Sequence, residues 1–205
     1  MAASRVFLLS PASSGGERAA LLFDSRARFE LARRLRTRAG APLGEVFSFL
    51  SGLYFRGKLT YSLVFASPPP DLPGVLVITP GQGLQPPRKP VTLKHLERFS
   101  RISIDVREPR YRRPLARDAR ALAAAAPNAE FVLLGSIATG KYVDVLLEAF
   151  GPRLLFPGDF VGRGDMSRGG LLLRCARAGV ELPYMPVRGA TRHGARPPRL
   201  ERLRR

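Results

Sequence analysis

Cysteine and histidine are almost absent from this chain: one Cys, at 175, and two His, at 95 and 193, in 205 residues. A single cysteine excludes an internal disulfide and a thiolate metal cluster. The two histidines are too far apart in sequence to show ligand spacing. No residue is therefore proposed as a side-chain metal ligand, apart from a carboxylate-held Mg²⁺ as a possible cofactor. Lysine is scarce as well, with four residues (58, 89, 94 and 141) among the 34 basic ones, the other 30 being arginine. No apolar run approaches the ~20 residues that span a bilayer, and no internal repeat is visible. The apolar stretch before Pro11 is too short for a signal peptide. It reads instead as the first strand of a cytoplasmic protein with no membrane partner.

What is abundant is positive charge. The formal net charge is +18, and residues 188–205 hold seven arginines against Glu201, a net +6 that leaves +12 on the remainder. A charge of this size favours polyanionic partners, nucleic acid or a phosphate-bearing nucleotide. Arginine-rich, alanine-, glycine- and proline-rich composition is also what GC-rich coding produces, so the charge by itself has a compositional reading. The hydrophobic fraction of 45% is ordinary for a globular chain of this length. One α/β domain is expected over residues 1–187, followed by a loose basic tail over 188–205.

Strand, glycine-bearing loop and helix alternate along the chain. Val6 to Leu9, Val75 to Ile78, Phe131 to Leu134 and Leu154 to Phe156 are short apolar runs suited to buried strands. Glu45 to Leu50 and Ile102 to Val106 read as two further strands. Residues 17–38 read as one amphipathic helix with a basic outer face. Further helices are expected over 59–65, 92–99, 113–126, the segment after Gly140, and 166–178. Leu182-Pro-Tyr-Met-Pro-Val187 is extended and interrupted by proline, which suits a sheet edge. This order predicts an α/β fold, an open, mostly parallel sheet of five to seven strands with helices on both faces. Ligands of such sheets bind outside the carboxyl ends of the strands.

Two strand-end loops carry the candidate chemistry. Gly135-Ser-Ile-Ala-Thr-Gly-Lys141 has the spacing G-x-x-x-x-G-K of a phosphate loop, but Tyr142 stands where a magnesium-binding Ser or Thr hydroxyl belongs. Gly135, Gly140 and Lys141 are the expected phosphate contacts there, and a phosphate-loop NTPase or kinase-like enzyme is one alternative function. The second loop, Gly162-Arg-Gly-Asp-Met-Ser-Arg-Gly-Gly170, offers Arg163, Ser167 and Arg168 as phosphate contacts. Asp159 and Asp165 are its candidate catalytic acid, base or metal partner. Asp165 also suits the N-cap of the following helix, with the arginines solvated. Ser51-Gly-Leu-Tyr-Phe-Arg-Gly-Lys58 interleaves aromatics with cations, which makes Tyr54, Arg56 and Lys58 candidates for nucleic-acid contact. Tyr54 and Phe55 suit a core position equally well. Arg18 could point at the same edge. Ser10 could too, but nothing in the sequence shows a base to activate it. A non-catalytic interaction protein is the remaining alternative.

Four segments, in order, resemble the YaaA-type α/β proteins, the peroxide-stress group and its uncharacterised relatives. They are Leu9-Ser-Pro-Ala12, Gly52-Leu-Tyr-Phe-Arg-Gly57, Gly83-Leu-Gln-Pro86 and Arg163-Gly-Asp-Met-Ser-Arg168. The lysine that follows Ser-Pro-Ala in that family is Ser13 in this chain, and the family's longer middle region is absent. The resemblance implies a nucleic-acid-associated α/β protein linked to DNA protection or nucleoside chemistry.

Overall fold

The computed structural model describes residues 4–198 and 200. Six strands form one sheet in the order β4-β3-β1-β6-β7-β8. The four central strands, β3 (Val75–Thr79), β1 (Arg5–Leu9), β6 (Glu130–Leu134) and β7 (Leu154–Pro157), run parallel. The edges, β4 (Gly83–Gln85) and β8 (Tyr184–Pro186), are antiparallel to their neighbours. The chain is thus α/β with a mostly parallel sheet. A separate two-stranded pair joins β2 (Ala41–Pro42) to β5 (Pro90–Val91).

Each central strand is apolar on both sides, and alternate residues feed two cores. Val6, Leu8, Phe131 and Leu133 pack against α6 (Pro109–Ala125) and α7 (Gly140–Phe150). Phe7, Leu9, Val132 and Leu134 face the other side, against α1 (Glu17–Phe23), α2 (Glu30–Arg36), α3 (Leu43–Ser51), α4 (Leu53–Phe65), α5 (Leu93–Ser100) and α8 (Asp165–Ala178). Helices therefore cover both faces. No helix among the described residues is long and apolar enough to cross a membrane.

Three local expectations are corrected. The single helix over 17–38 is two helices. The Asp24 carboxylate accepts the Arg26 backbone N–H (2.9 Å), an Asx turn that ends α1. Arg36 then reaches back to the carbonyls of Leu22 (3.4 Å) and Ala27 (3.0 Å), binding the break together. Glu45 to Leu50 is helix α3, not a strand. Leu43, Val46 and Phe47 are its buried residues, so the three-to-four-residue spacing outweighs the short alternation. Ile102 to Val106 pairs with no strand. Both sheet edges are already filled by β4 and β8, and Asp105 folds the segment into a turn by accepting the Arg107 N–H (2.9 Å). The proline-interrupted segment near 182–187 does supply an edge strand, β8.

Helices α4 and α8 cross at two glycines. A Cβ built on Gly57 would lie 2.6 Å from the Gly169 carbonyl oxygen, and one on Gly169 would lie 2.7 Å from that of Leu53. Backbone meets backbone with no side chain between. Gly169, expected in the second strand-end loop, thus lets two helices touch. The described part of the C-terminal segment makes contacts with the body of the protein. Gly194 and Ala195 pack on Val161 and Gly162, and the Pro198 carbonyl accepts from Arg163 Nη1 (3.4 Å). Residues 199 and 201–205 lie outside the described residues.

Candidate functional site

A cleft of about 600 Å³, lined about equally by polar and apolar groups, opens at the carboxyl ends of the parallel strands. Its walls come from the loop after β1 (Ser10 to Gly15), Pro80 after β3, Ser136, Lys141 and Tyr142 after β6, and Asp165 after β7. The end of α3, Tyr54, and the irregular run around Phe99 to Ile104 complete it. Seven serines line it: 10, 13, 14, 51, 100, 103 and 136. Charged side chains are few there, Lys141 and Asp165 alone at the walls. The Ser14 hydroxyl is buried without a hydrogen-bond partner. Such an atom is rare in folded proteins and is satisfied when a ligand supplies the partner.

Beneath the cleft lies Lys58, 1% exposed. Its ammonium group donates to the Ser10 carbonyl oxygen at 2.6 Å and to Ser10 Oγ at 2.8 Å. It rests over the Tyr54 ring at 4.5 Å and the Phe55 ring at 4.9 Å. Removal from water lowers its pKa from 10.5 to about 7, with Asp165 favouring the charged form and Arg168 opposing it. From the other side the Tyr142 hydroxyl lies beside Ser10 and the Ser136 backbone N–H; burial raises its pKa, the two neighbours opposing that rise. Ser10 and Tyr142 converge on Gly135, where an added Cβ would stand 3.1 Å from Ser10 Oγ and 3.2 Å from the Tyr142 oxygen. Gly135 is small because these two hydroxyls fill the space a side chain would take.

The structure brings together only part of the expected set. Tyr54, Lys141 and Asp165 line the cleft, with Gly135 behind Ser10. Lys58, expected as a nucleic-acid contact, is buried under Ser10. Tyr54 is 5% exposed, with one face against the Lys58 ammonium and its edge toward Phe160, so no open ring face awaits a base. Arg56 projects outward into solvent from α4. Arg18 ties α1 to α3 through the Phe49 carbonyl (3.1 Å).

Of the second loop only Asp165 lines the cleft, and its arginines are engaged elsewhere. Arg168 donates through Nε (3.2 Å) and Nη2 (3.0 Å) to the Phe160 carbonyl, stacks on the Phe160 ring, and pairs with Asp165 at 3.4 Å. Arg163 reaches the Asp159 carbonyl (3.0 Å) and Ser167 Oγ (3.3 Å) beside the C-terminal segment. Asp159 is exposed in a 3₁₀ turn. The N-cap of α8 is Gly164, not Asp165, which is the first helical residue and makes no cap. At the phosphate-loop match, the Asp144 carboxylate leans back over Gly140 in the first turn of α7, taking space an anion would need. His95 accepts the Thr92 backbone N–H (3.1 Å) as part of a capping box. Among the described residues, no three His, Cys, Asp or Glu side chains cluster as a metal site.

Sequence reasoning missed the Ser10–Lys58 pair, the serine lining and Tyr142. One signal was available. Tyr54, Phe55, Lys58, Tyr61 and Ser62 recur at helical spacing on the buried stripe of α4, so Lys58 falls inside an apolar face. The serines carry no such signal, because they come from loops far apart in sequence. Comparison with protein-family models, with curated proteins and with solved structures finds no match to this chain.

Proposed function

We propose that the strand-end cleft binds a nucleoside or nucleotide, free or as part of a nucleic acid. The observation that carries this reading is the cleft itself: a hydroxyl-lined space of about 600 Å³ at the carboxyl ends of a parallel sheet, with Lys141 on one wall. Its size suits a small organic ligand, and its position is where open α/β sheets bind theirs. Serine hydroxyls donate and accept hydrogen bonds, which fits the sugar and base edges of a nucleoside. Lys141, in the first turn of α7, supplies one cation for a phosphate. The abundance of cationic side chains outside the cleft supports a polyanion as the larger body to which such a nucleotide belongs.

The test is a thermal-shift and calorimetric titration with nucleosides, nucleoside monophosphates and short oligonucleotides. Nucleotides are expected to raise Tm, and Lys141→Ala to weaken the phosphate-bearing ligands at unchanged fold while leaving nucleosides unaffected. Oligonucleotide affinity is expected to fall as salt rises, since counterions are released on binding. Absence of any shift with all three ligand classes would refute the reading.

A further inference from the structure

We propose that Ser10 is a nucleophile and Lys58 its general base, and that the cleft cleaves a carboxylic ester whose alcohol is a nucleoside or another polyhydroxylated group. The alcohol half of this assignment rests on the nucleoside-binding reading; the nucleophile does not. A serine hydroxyl reacts only when a base removes its proton, and the base must lie within hydrogen-bond reach. Lys58 Nζ lies 2.8 Å from Ser10 Oγ, and Ser10 lines the cleft. A second bond, to the Ser10 carbonyl at 2.6 Å, fixes the amine relative to the serine backbone. Serine–lysine pairs are one of the recurring solutions to serine activation.

The surroundings suit that role better than a structural one. A lysine used only to join α4 to β1 would gain from a carboxylate partner, yet among the described residues no carboxylate hydrogen-bonds to Lys58. The groups facing it are Ser10 from the end of β1, Tyr54 and Phe55 on its own helix, and Asp165 and Arg168 from α8. Burial among them favours the neutral amine, the form a base needs. The Tyr142 hydroxyl converges with Ser10 Oγ on Gly135 at the cleft wall, and burial favours its protonated form, so it stands as a donor to a developing oxyanion.

In the first step Ser10 Oγ bonds to the ester carbonyl carbon while its proton passes to neutral Lys58. The tetrahedral intermediate then breaks its bond to the alcohol oxygen, which takes the proton from Lys58 and leaves as the free alcohol. Water attacks the resulting acyl-serine, gives a proton to Lys58, and releases the carboxylic acid as Ser10 Oγ recovers that proton. Atoms balance with water as the only co-reactant.

The experiment treats the purified full-length chain with a fluorophosphonate, which loses fluoride to an activated serine, followed by intact-mass and peptide analysis. One adduct per chain is expected, on Ser10. Its rate is expected to rise about tenfold between pH 6 and pH 8, as Lys58 sheds its proton around a pKa of about 7. Ser10→Ala is expected to abolish the adduct, and Lys58→Met to slow it at least a hundredfold, within the usual range for general-base catalysis. Folded wild-type protein with no adduct on Ser10, or a flat pH profile, would overturn the proposal without recourse to any variant. A folded Lys58→Met protein labelled at the wild-type rate would overturn it too. Uridine, adenosine and AMP are then added as protectants. Protection of Ser10 is expected, whereas labelling untouched by all three overturns the nucleoside alcohol. A thermal shift with these ligands but no Ser10 adduct overturns the nucleophile and leaves the binding reading standing.

Discussion

Lys58 should leave a mark on folding stability that its neighbours cannot imitate. In the unfolded chain a lysine titrates near 10.5, and in the folded protein Lys58 titrates at about 7. Between these values the unfolded state binds the extra proton, so stability rises with pH across that window. At pH 7 the ratio of the two binding polynomials disfavours folding by a little over three powers of ten, and at pH 9 by about one and a half. The difference is worth about 2 kcal/mol of added stability, at 1.36 kcal/mol per unit. For a domain of this length that corresponds to a Tm rise of roughly 4–8 °C. The His95 pKa is lowered below its ordinary 6.5, so its change comes earlier, and the buried tyrosines are raised from 10, so theirs come later. Cys175, raised from 9.0, begins to titrate in the unfolded chain near the upper end of the window and acts in the opposite direction, equally in both proteins, so the difference between the two profiles carries the Lys58 effect. Denaturant melts at pH 7, 8 and 9, for wild type and Lys58→Met side by side, read the effect directly. Wild type is expected to climb and Lys58→Met to stay level. Parallel profiles would refute the claim that Lys58 is buried in a form that resists its charge.

Other outcomes test the architecture around it. Gly57→Ala and Gly169→Ala should each destabilise by about 1–3 kcal/mol in denaturant melts, because the new methyl meets backbone and overpacking outweighs alanine's better helix propensity. Arg168→Lys should cost about 1–2 kcal/mol, since a lysine cannot reproduce the paired bonds to the Phe160 carbonyl while stacking on its ring. Arg163→Lys, at a partly exposed position, should stay within about 0.5 kcal/mol by the same measurement. If the two arginines instead clamp a phosphate, Arg163→Lys will weaken nucleotide binding at unchanged Tm.

The parallel sheet was legible because its strands are uninterrupted apolar runs closed by glycine or proline, a pattern that burial on both faces demands. Glu45 to Leu50 misled because six residues are too few to separate a period of two from a period of 3.6. The 17–38 helix misled because nothing in its periodicity marks the Asp24 turn that Arg36 stabilises from the far end. At the site, the phosphate-loop spacing pointed to the sheet edge where the cleft opens, with Lys141 lining it and Gly135 behind Ser10. The purpose of Gly135 was hidden, however, because it is set by Ser10 and Tyr142, which only the fold brings to it. Arg163 and Arg168 drew notice for their charge and neighbouring glycines. In the structure those features serve the joint between α8 and the preceding turn. Lys58 was noticed for the wrong reason, as a cation among aromatics, when its place in the helical stripe was the stronger signal.

The glycine contact between α4 and α8 has a mechanical consequence. Where two helices meet through side chains, rotamer changes can absorb small sliding motions. Bare backbone offers no such compliant layer, so Lys58 on one helix and Asp165 on the other are carried by what is in effect a single rigid beam. Any change in the width of the cleft must then originate in its other walls, and among these the 11–15 loop and the 99–104 run contain no regular structure beyond the end of α5. The floor of the cleft is thereby fixed in width while part of its rim is free of the helices and sheet that would hold it.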